Sequence, residues 1–304
     1  MKNIPVLAVW GTTIPEAWEN ALVALFDHGT EFETQYDRPG DPKSLDCTMN
    51  MTIMDPMSEP MIHRDFPGGP DDLQEYVMEV VDGIKDHWVR NPSDPDDKRW
   101  EYTYHERLFN YTYTKIRPAH AGNGEWEPDA PCVGSIDQIE AVCQKLAKQP
   151  FTRQAQAITW KPWGDPDCYD PACLQSFWFR ILDDVDGIGW LNTNVRIRSN
   201  DAYKASFMNI FAFNMLAKSV ADRITALSGR EVKVGRYNHQ ADSFHVYGKD
   251  LKEFKGRFMG NLKSRTFEQR TYPYVGMMQD LMEEAKPQIL EKVRKQDENR
   301  REQG

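Results

Sequence analysis

The chain has 304 residues, a formal net charge of −10 and a sequence pI near 5.3, which argues against the basic surface typical of proteins that bind duplex nucleic acid. Apolar residues make up 40% of the sequence, enough for a sizeable core, but no apolar run approaches the roughly 20 residues of a membrane-spanning helix. The five cysteines form no CxxC pair, so neither a disulfide framework nor a zinc site is expected, and a reducing, cytoplasmic location is favoured.

The first part of the chain predicts a helix followed by two strands. The helix runs from Thr13 to Asp27, with a proline near its start and a glycine soon after its end. Alternating apolar and polar residues predict strands at Glu31 to Tyr36 and Leu45 to Met54. The turn-rich segment between them, Asp37 to Pro42, is expected to be a loop that carries Arg38.

Two further helices are predicted before the middle of the chain. Asp71 to Gly83 has apolar residues at helical spacing and ends on a glycine that can cap it. Ser135 to Lys148 is the next helix, with its first residue as N-cap and Gln138 completing a capping box. The segments Asn91 to Lys98 and Ala119 to Pro131 are expected to be exposed loops.

The second half is richer in strands and contains one long apolar helix. This helix is predicted from Asp201 to Leu227, broken once near Ser206, and buried because it is apolar nearly all round. A charged helical tail begins at Gln288, and residues 290–304 are expected to be frayed. The predicted strands are Gln154 to Trp160, Leu174 to Leu182, Ile188 to Arg198, Val232 to His239 and Ser243 to Tyr247. Together the elements indicate a mixed α/β (α+β) chain folded as a single domain over residues 1–304.

Cys173 closes the turn that begins at Asp170, directly before an aromatic strand. A turn that contains proline can present the first side chain of the following strand at the rim of a sheet. Arg153 and Arg198 could lower the pKa of the thiol, because a nearby cation favours the thiolate. A buried cysteine that packs as a small apolar side chain is the more common use of this residue type, so the turn alone does not identify a nucleophile.

Arg198-Ser199-Asn200-Asp201 follows a predicted strand and is expected to open the long helix. An arginine, a serine hydroxyl and free helix N–H groups together suit a phosphate dianion. Capping of the helix by Ser199 or Asp201 explains the same residues equally well. The segment is therefore a candidate phosphate site with a structural alternative.

Three more polar side chains could recognise a nucleotide. Asn209 falls inside the apolar helix, where an unpaired amide is costly, and its donor and acceptor match O4 and N3–H of uracil. His245 and Tyr247 share one face of a strand and could hold a sugar hydroxyl. A structural hydrogen bond at Asn209 and an aromatic pair on the sheet are the simpler uses of these residues. No zincin, P-loop or dinucleotide-binding motif occurs, and no metal site is predicted.

Taken in order, four sequence blocks resemble the folate-dependent thymidylate synthase family. The resemblance spans about Phe32 to Asp250. The blocks are Thr152-Arg153-Gln154-Ala155, Asp170 to Cys173, Arg198 to Asn209, and Asp242 to Tyr247. The resemblance implies a single α+β domain with a large mixed, mostly antiparallel sheet flanked by helices, and a homodimer formed through the sheet face.

The resemblance also implies which residues bind the nucleotide. These are Arg38, Arg198 and Ser199 for the phosphate, Arg153 for the phosphate of the neighbouring subunit, Asn209 for the base, and His245 and Tyr247 for the sugar 3′-hydroxyl.

Four positions match the family's catalytic residues. Cys173 matches the nucleophile that adds to C6 of the pyrimidine, and Asp201 matches a residue beside the folate and the pyrimidine. Tyr104 matches a tyrosine near the C5 proton. A glutamate on an early helix orders water and moves protons in the family, and Glu75 is the choice here, with Glu79 as the alternative.

The implied reaction transfers a one-carbon unit from 5,10-methylenetetrahydrofolate to C5 of a pyrimidine nucleoside monophosphate. Thiolate addition at C6 makes C5 nucleophilic, which divides one difficult step into easier ones. Thymidylate synthase activity on dUMP is the leading hypothesis, because Asn209 suits uracil. The expected partners are the nucleotide, the folate and a second copy of the chain, with no duplex nucleic acid and no membrane.

Four departures from the family pattern keep other hypotheses open. Gln154 replaces a usual arginine, Leu174 replaces a usual histidine, and the turn from Asp183 to Gly189 is longer. The family's short apolar C-terminus is not recognisable in Asp297 to Gly304. Because the fate of the one-carbon unit depends on water access near the folate, a hydroxymethylase of dUMP, dCMP or CMP is the alternative. A scaffold that binds a nucleotide or RNA without turnover is a third hypothesis, which the competent residues at the matched positions disfavour.

Overall fold

The structure is a computed structural model and describes residues 3–91, 96–115 and 132–303, without the side chains of 114, 115, 132, 133 and 299–303. The loop predicted from Ala119 to Pro131 lies outside the described residues. So do positions 92–95 of the loop predicted from Asn91 to Lys98.

Twelve strands are present in the described part of the chain, eight of them in one mixed sheet. The strands are β1 (Val6–Gly11), β2 (Thr30–Phe32), β3 (Ser44–Ile53), β4 (Ile62–His63), β5 (Tyr111–Lys115), β6 (Cys132–Ile136), β7 (Ala155–Ile158), β8 (Leu174–Asp183), β9 (Gly189–Ile197), β10 (Asn200–Asp201), β11 (Val232–Val246) and β12 (Thr271–Tyr272). The large sheet has the order β1-β3-β11-β9-β8-β7, with β2 on β3 and β10 on β11. Its pairs β1–β3, β9–β11 and β10–β11 are parallel and the others antiparallel.

Nine α-helices surround this sheet in the described residues. They are α1 (Ile14–His28), α2 (Pro70–Val81), α3 (Tyr104–Phe109), α4 (Gln138–Lys148), α5 (Ser206–Ser228), α6 (Leu251–Glu253), α7 (Met259–Ser264), α8 (Phe267–Arg270) and α9 (Met277–Gln303). Helix α1 packs on β1 and β3, α4 on β7 and β8, and α5 on β11 and β9, while α2 and α9 form an outer pair. None of the described helices is long and apolar enough to span a membrane.

The core lies between the sheet and α5. Strand residues alternate between the two faces of a sheet, and in β8 the side chains of Phe177, Phe179 and Ile181 are buried. The intervening Trp178 and Arg180 remain partly exposed on the other face. Helix α5 is buried along most of its length, as its apolar composition predicts. The mixed α/β architecture expected from the sequence is confirmed.

The N-terminus of α4 differs from its prediction. Asp137 is the N-cap, and its carboxylate accepts a hydrogen bond of 2.8 Å from the Glu140 N–H. Ser135 instead belongs to β6, where it pairs with Thr112 of β5. The capping box at Ser135 and Gln138 is therefore wrong, because the β5–β6 hairpin keeps the chain extended as far as Ile136.

The region around Asp201 also differs. Asp201 ends the short strand β10, and α5 begins five residues later at Ser206, so the helix predicted from Asp201 starts too early. The two strands predicted at Val232 to His239 and Ser243 to Tyr247 form one strand, β11, with an irregular register between Ala241 and Phe244. Two polar residues, Asp242 and Ser243, lie in the irregular segment, which explains why the sequence suggests a break there.

Candidate active site

Cys173 directly precedes β8 and is partly buried. Its N–H donates a hydrogen bond of 3.4 Å to the hydroxyl of Tyr102. Its carbonyl accepts a hydrogen bond of 2.8 Å from the N–H of Arg198, which follows β9. The nucleophile expected from the sequence is thus held between the segment before α3 and the end of β9.

The guanidinium of Arg198 is anchored to the turn that carries Cys173. Its Nε donates to the carbonyl of Ala172 at 3.1 Å, and its Nη2 donates to the carbonyl of Pro171 at 2.5 Å. These contacts keep a positive charge beside the thiol. They also leave further N–H groups of the guanidinium free to bind an anion, because an arginine has five such donors.

The pKa of the Cys173 thiol is above its ordinary value because burial disfavours the charged thiolate. Arg198 acts in the opposite direction, as predicted, and so does a hydrogen bond with Tyr102. The lowering effect expected from Arg198 is therefore present, but desolvation is larger and the net pKa is raised. Arg153 is exposed before β7 and is not among the groups that act on this thiol.

Three tyrosines form the wall beside Cys173. The rings of Tyr102 and Tyr104 lie 5.6 Å apart, and the Tyr104 hydroxyl makes a hydrogen bond with the backbone of Leu174. The Tyr76 hydroxyl donates to Oδ1 of Asn209. Burial raises the pKa of all three hydroxyls, so each is a neutral group that can donate a proton or a hydrogen bond.

These tyrosines border a cavity of about 540 Å³. Its lining combines five aromatic side chains with charged groups of both signs. The lining residues are Tyr76, Glu79, Lys98, Arg99, Trp100, Glu101, Tyr102, Thr103, Tyr104, Tyr169 and Asp170. A flat ring system with an acidic substituent matches such a wall, because aromatic faces stack on rings and cations bind carboxylates.

The two glutamates considered on α2 have different surroundings. Glu75 forms ion pairs of 2.8 Å with Lys85 and 2.5 Å with Lys292, and these lower its pKa against the effect of burial. Glu79 lines the cavity, and burial raises its pKa although Lys85 lies 2.9 Å away. Of the two, the alternative Glu79 is the one that faces the cavity.

The residues expected near the sugar lie where β10 pairs with β11. Asp201 lies opposite His245 in this parallel pair, and the rings of His245 and Tyr247 are 4.7 Å apart. Burial raises the pKa of Asp201 to about 6, although its Oδ1 accepts hydrogen bonds from two backbone N–H groups. Burial, followed by the charges of Asp201 and Cys173 among others, raises the pKa of Tyr247 to about 12. The nucleophile and the sugar-side residues are therefore near neighbours.

The residues expected to bind the phosphate lie farther apart from one another. Ser199 is partly buried between Arg198 and β10. Arg38 is exposed in its loop, which approaches the site through the ring of Tyr36, 5.9 Å from that of Tyr247. The predicted contribution of helix N–H groups to a phosphate site at Ser199 is wrong, because α5 begins only at Ser206.

Sequence reasoning missed several residues that the fold brings to the site. The only signal in the sequence that Tyr102 belongs to the site is its position two residues before Tyr104. Tyr76 and Asn209 are hydrogen-bonded across 133 positions, and Asp46 reaches the site across 197 positions through Ser243. No local pattern signals pairs so far apart in the chain.

Comparisons with known proteins point in one direction. A family model described as thymidylate synthase matches residues 85–296, a range that begins and ends later than the resemblance from Phe32 to Asp250. A "Putative thymidylate synthase" of Methanococcoides burtonii is 28% identical over 244 residues, covering 80% of this chain and 93% of the relative. A protein of the same name from Methanocaldococcus jannaschii is 25% identical over 247 residues, covering 80% and 91%. The solved thermostable thymidylate synthase A of Bacillus subtilis shares the fold, with a TM-score of 0.55 at 17% identity, covering 82% and 84%.

Proposed function

Because the chain belongs to the thymidylate synthase family, a family of folate-dependent one-carbon transferases, we propose that it converts dUMP to dTMP as a cytoplasmic homodimer. The one-carbon donor in this proposal is 5,10-methylenetetrahydrofolate. Cys173 is hydrogen-bonded to Tyr102, which lines the cavity. The observation that carries the proposal is the convergence of Cys173, Arg198 and Asp201, since Arg198 is anchored to the turn that carries Cys173 and the charges of Cys173 and Asp201 both act on Tyr247. Sequence separates these residues by up to 28 positions, and the turn before β8, the end of β9 and β10 bring them together.

The nucleotide is bound by groups of matching chemistry. Arg198 and Ser199 bind the phosphate, with Arg38 from its loop and Arg153 from the second subunit. His245 and Tyr247 hold the sugar 3′-hydroxyl. Asn209 donates from Nδ2 to O4 of the uracil, and this role is supported by the Tyr76 hydroxyl, which engages Oδ1 and so orients the amide.

Cys173 starts the reaction by adding its sulfur to C6. Arg198 stabilises the thiolate that this step requires, because it is the main cation acting on the thiol. As the C6–S bond forms, C5 becomes electron-rich, and Asn209 stabilises the charge that develops on O4. The bound folate supplies the electrophilic carbon and, for a methyl product, the hydride. Tyr104 and Glu79 handle the proton lost from C5, a role that fits their position on the cavity wall.

The cavity fits a folate on the chemistry of its lining. Trp100, Tyr102 and Tyr169 offer aromatic faces to a pterin and a benzoyl ring. Lys98 and Arg99 provide cations for the glutamate carboxylates. These residues would orient the donor and exclude water from C5.

A hydroxymethylase is the second candidate, and one feature favours it. Leu174 follows the proposed nucleophile where the family usually has a histidine. This departure leaves the fate of the one-carbon unit open, because that fate depends on the access of water near the folate.

A product assay tests the proposal and separates the two candidates. The full-length protein is incubated with 5,10-methylenetetrahydrofolate and, in turn, dUMP, dCMP or CMP, and the nucleotide product is identified by mass. We expect a methyl product from dUMP together with dihydrofolate. A hydroxymethyl product with tetrahydrofolate would assign the second candidate. Nucleotide binding without any product would contradict both and favour a scaffold.

The control for this assay is the nucleophile. Cys173→Ala should abolish turnover while nucleotide binding persists, because the covalent step needs the sulfur. Cys168→Ala, five positions earlier and outside the proposed site, should keep its turnover. Full turnover by Cys173→Ala would exclude the covalent mechanism.

A further inference from the structure

We propose that Asp46 and Ser243 are positioning residues that hold His245 as one neutral tautomer, with the proton on Nδ1 and with Nε2 left to accept a hydrogen bond. The ligand part of this inference rests on the proposed function, in which His245 meets a sugar hydroxyl. The part that concerns Asp46, Ser243 and the imidazole stands on the geometry of the chain alone.

A continuous hydrogen-bonded chain joins the three side chains. Ser243 Oγ lies 3.0 Å from Oδ1 of Asp46 and 3.1 Å from Nδ1 of His245. Asp46 is on β3, directly opposite His245 in the antiparallel pair with β11. Ser243 lies inside the irregular register of β11. Asp46 and His245 are 5% and 4% exposed, so solvent competes little for these contacts.

The charge of Asp46 determines the direction of the chain. An ionised carboxylate can only accept hydrogen bonds, so the single proton of the Ser243 hydroxyl must point to Asp46. Burial raises the pKa of Asp46, whereas the hydrogen bonds from Ser243 and from the backbone N–H groups of Cys47 and Phe244 act in the opposite direction and favour the ionised form. Ser243 Oγ is then an acceptor toward His245, and Nδ1 must carry the proton.

Nε2 is the remaining polar atom of the ring. Among the described residues the ring's hydrogen-bond partner is Ser243, through its hydroxyl at Nδ1 and through its backbone, and no side chain is bonded to Nε2. Burial lowers the pKa of His245, so the ring is neutral and Nε2 carries a lone pair. A hydroxyl that donates to Nε2 can at the same time accept from the Tyr247 hydroxyl, whose ring is 4.7 Å away. In the opposite tautomer Nε2 would carry the proton, so the ligand hydroxyl could only accept from the ring and would have to donate to the Tyr247 oxygen instead.

A second histidine on β11, which has no carboxylate in its hydrogen-bonded chain, shows how the charge of Asp46 affects His245. His239 is fully buried between the Tyr237 hydroxyl, 2.9 Å from Nδ1, and Asn200 Oδ1, 2.8 Å from Nε2. Both partners are neutral, and a hydroxyl and an amide can each donate or accept. The direction of the chain at His239 is therefore not imposed by charge, whereas at His245 it is.

The tautomer can be read directly by NMR on the full-length protein without ligand. Selective ¹⁵N labelling of the seven histidines and long-range correlation spectra distinguish the two neutral forms, and His245→Gln identifies the signal. We expect a proton on Nδ1 of His245 in the wild type. Ser243→Ala and Asp46→Asn should shift the signal toward the other form, and Ser243→Thr should restore it because the hydroxyl is retained.

A matched control removes a hydroxyl of similar burial at the far end of β11. Thr225 Oγ1 accepts a hydrogen bond of 2.9 Å from the N–H of Val232 and lies away from the site. Thr225→Val should leave the His245 signal unchanged. A proton on Nε2 in the wild type, or an unchanged signal in both Ser243→Ala and Asp46→Asn, would overturn the assignment.

Binding measurements connect the tautomer to the ligand. The wild type should bind dUMP more tightly than its 3′-deoxy analogue, by roughly three- to tenfold, the range set by one hydrogen bond. In Ser243→Ala the two ligands should bind almost equally, with KM for dUMP raised more than kcat is lowered. If the wild type binds dUMP and its 3′-deoxy analogue equally while Nδ1 is protonated, His245 does not contact the sugar as the proposed function requires. The positioning of His245 by Asp46 and Ser243 would still be supported.

Discussion

Burial raises the pKa of both acids at the centre of the site, the thiol of Cys173 and the carboxyl of Asp201. For Cys173 this means that the thiolate is disfavoured, and Arg198 is the cation that opposes this effect. For Asp201 it means a carboxyl that titrates at about pH 6, close to the range in which proton transfer to and from a substrate is efficient.

The pKa of Asp201 predicts how stability depends on pH. Between about pH 4 and pH 6 the folded protein keeps a proton that the unfolded chain has lost, so this group's contribution to stability falls as the pH rises through that window. Asp201→Asn, which stays neutral, should therefore gain roughly 1–3 kcal/mol relative to the wild type between pH 4 and pH 7. Urea unfolding at both pH values measures this gain. The exposed turn variant Asp186→Asn is the control, and an equal gain there would contradict the assignment.

At the scale of elements, α2 shows how one helix serves two purposes. Glu75 and Glu79 are one turn apart, and both contact Lys85. Glu75 forms an ion pair with Lys292 and so links α2 to α9, whereas Glu79 lies on the cavity wall. The helical period places both residues on one side of α2, but only the packing of α9 decides which of them meets the cavity.

This division predicts different effects of two matched variants. Glu79→Gln should lower kcat by roughly a hundredfold, the lower end of the range for loss of a group that moves protons. Glu75→Gln should leave kcat almost unchanged and lower the free energy of unfolding by about 1 kcal/mol through its lost ion pairs. Steady-state kinetics and urea unfolding of both variants provide the comparison. A larger loss of kcat in Glu75→Gln than in Glu79→Gln would assign the proton-transfer role to Glu75, the residue preferred from the sequence.

The start of α4 gives a second prediction at this scale. Asp137→Ala should destabilise the protein by about 1 kcal/mol, because it removes the hydrogen bond from the cap to the N–H of Glu140. Ser135→Ala, at the position that the sequence suggests as the cap, should change stability by less than about 0.5 kcal/mol. Thermal and urea unfolding of the two variants test this difference. A larger effect at Ser135 would place the cap where the sequence suggests.

At the scale of the whole molecule, the strand order assembles the proposed site from distant parts of the chain. Strand β11 lies between β3 and β9, antiparallel to the first and parallel to the second. This arrangement brings Asp46, Arg198 and His245 to one region of the sheet. The outward face of the same sheet carries partly exposed side chains such as Trp178 and Asn238, and we propose this face as the dimer interface.

A complementation experiment tests the dimer and the donated arginine together. Cys173→Ala and Arg153→Ala should each be nearly inactive, and exchange of their subunits should restore about a quarter of wild-type activity, because half of the dimers are mixed and each has one complete site. Arg198 contacts Pro171 and Ala172 of its own chain, so Arg198→Ala mixed with Cys173→Ala should stay inactive. No recovery with Arg153→Ala would show that Arg153 acts within its own subunit or not at all.

The sequence by itself determined the family, the mixed α/β class and most of the elements. Short-range signals were sufficient where local chemistry decides the structure. The helix predicted from Thr13 to Asp27 is found as α1, and the apolar composition of α5 predicts its burial. The candidate nucleophile and the pair His245 and Tyr247 were also recognisable, although β11 ends at Val246 and Tyr247 directly follows it. A short motif places the first, and the two-residue period of extended chain places the pair.

The tertiary structure alone decided where elements end and how side chains combine. The hairpin of β5 and β6 moved the α4 cap from Ser135 to Asp137. The pairing of β10 with β11 removed Asp201 from the helix. The pKa of Cys173 depends on how deeply the turn is buried, and the tautomer proposed for His245 depends on Asp46, 199 positions away in sequence and opposite it in the sheet. Burial and long-range pairing arise only when the whole chain packs, so no local pattern carries them.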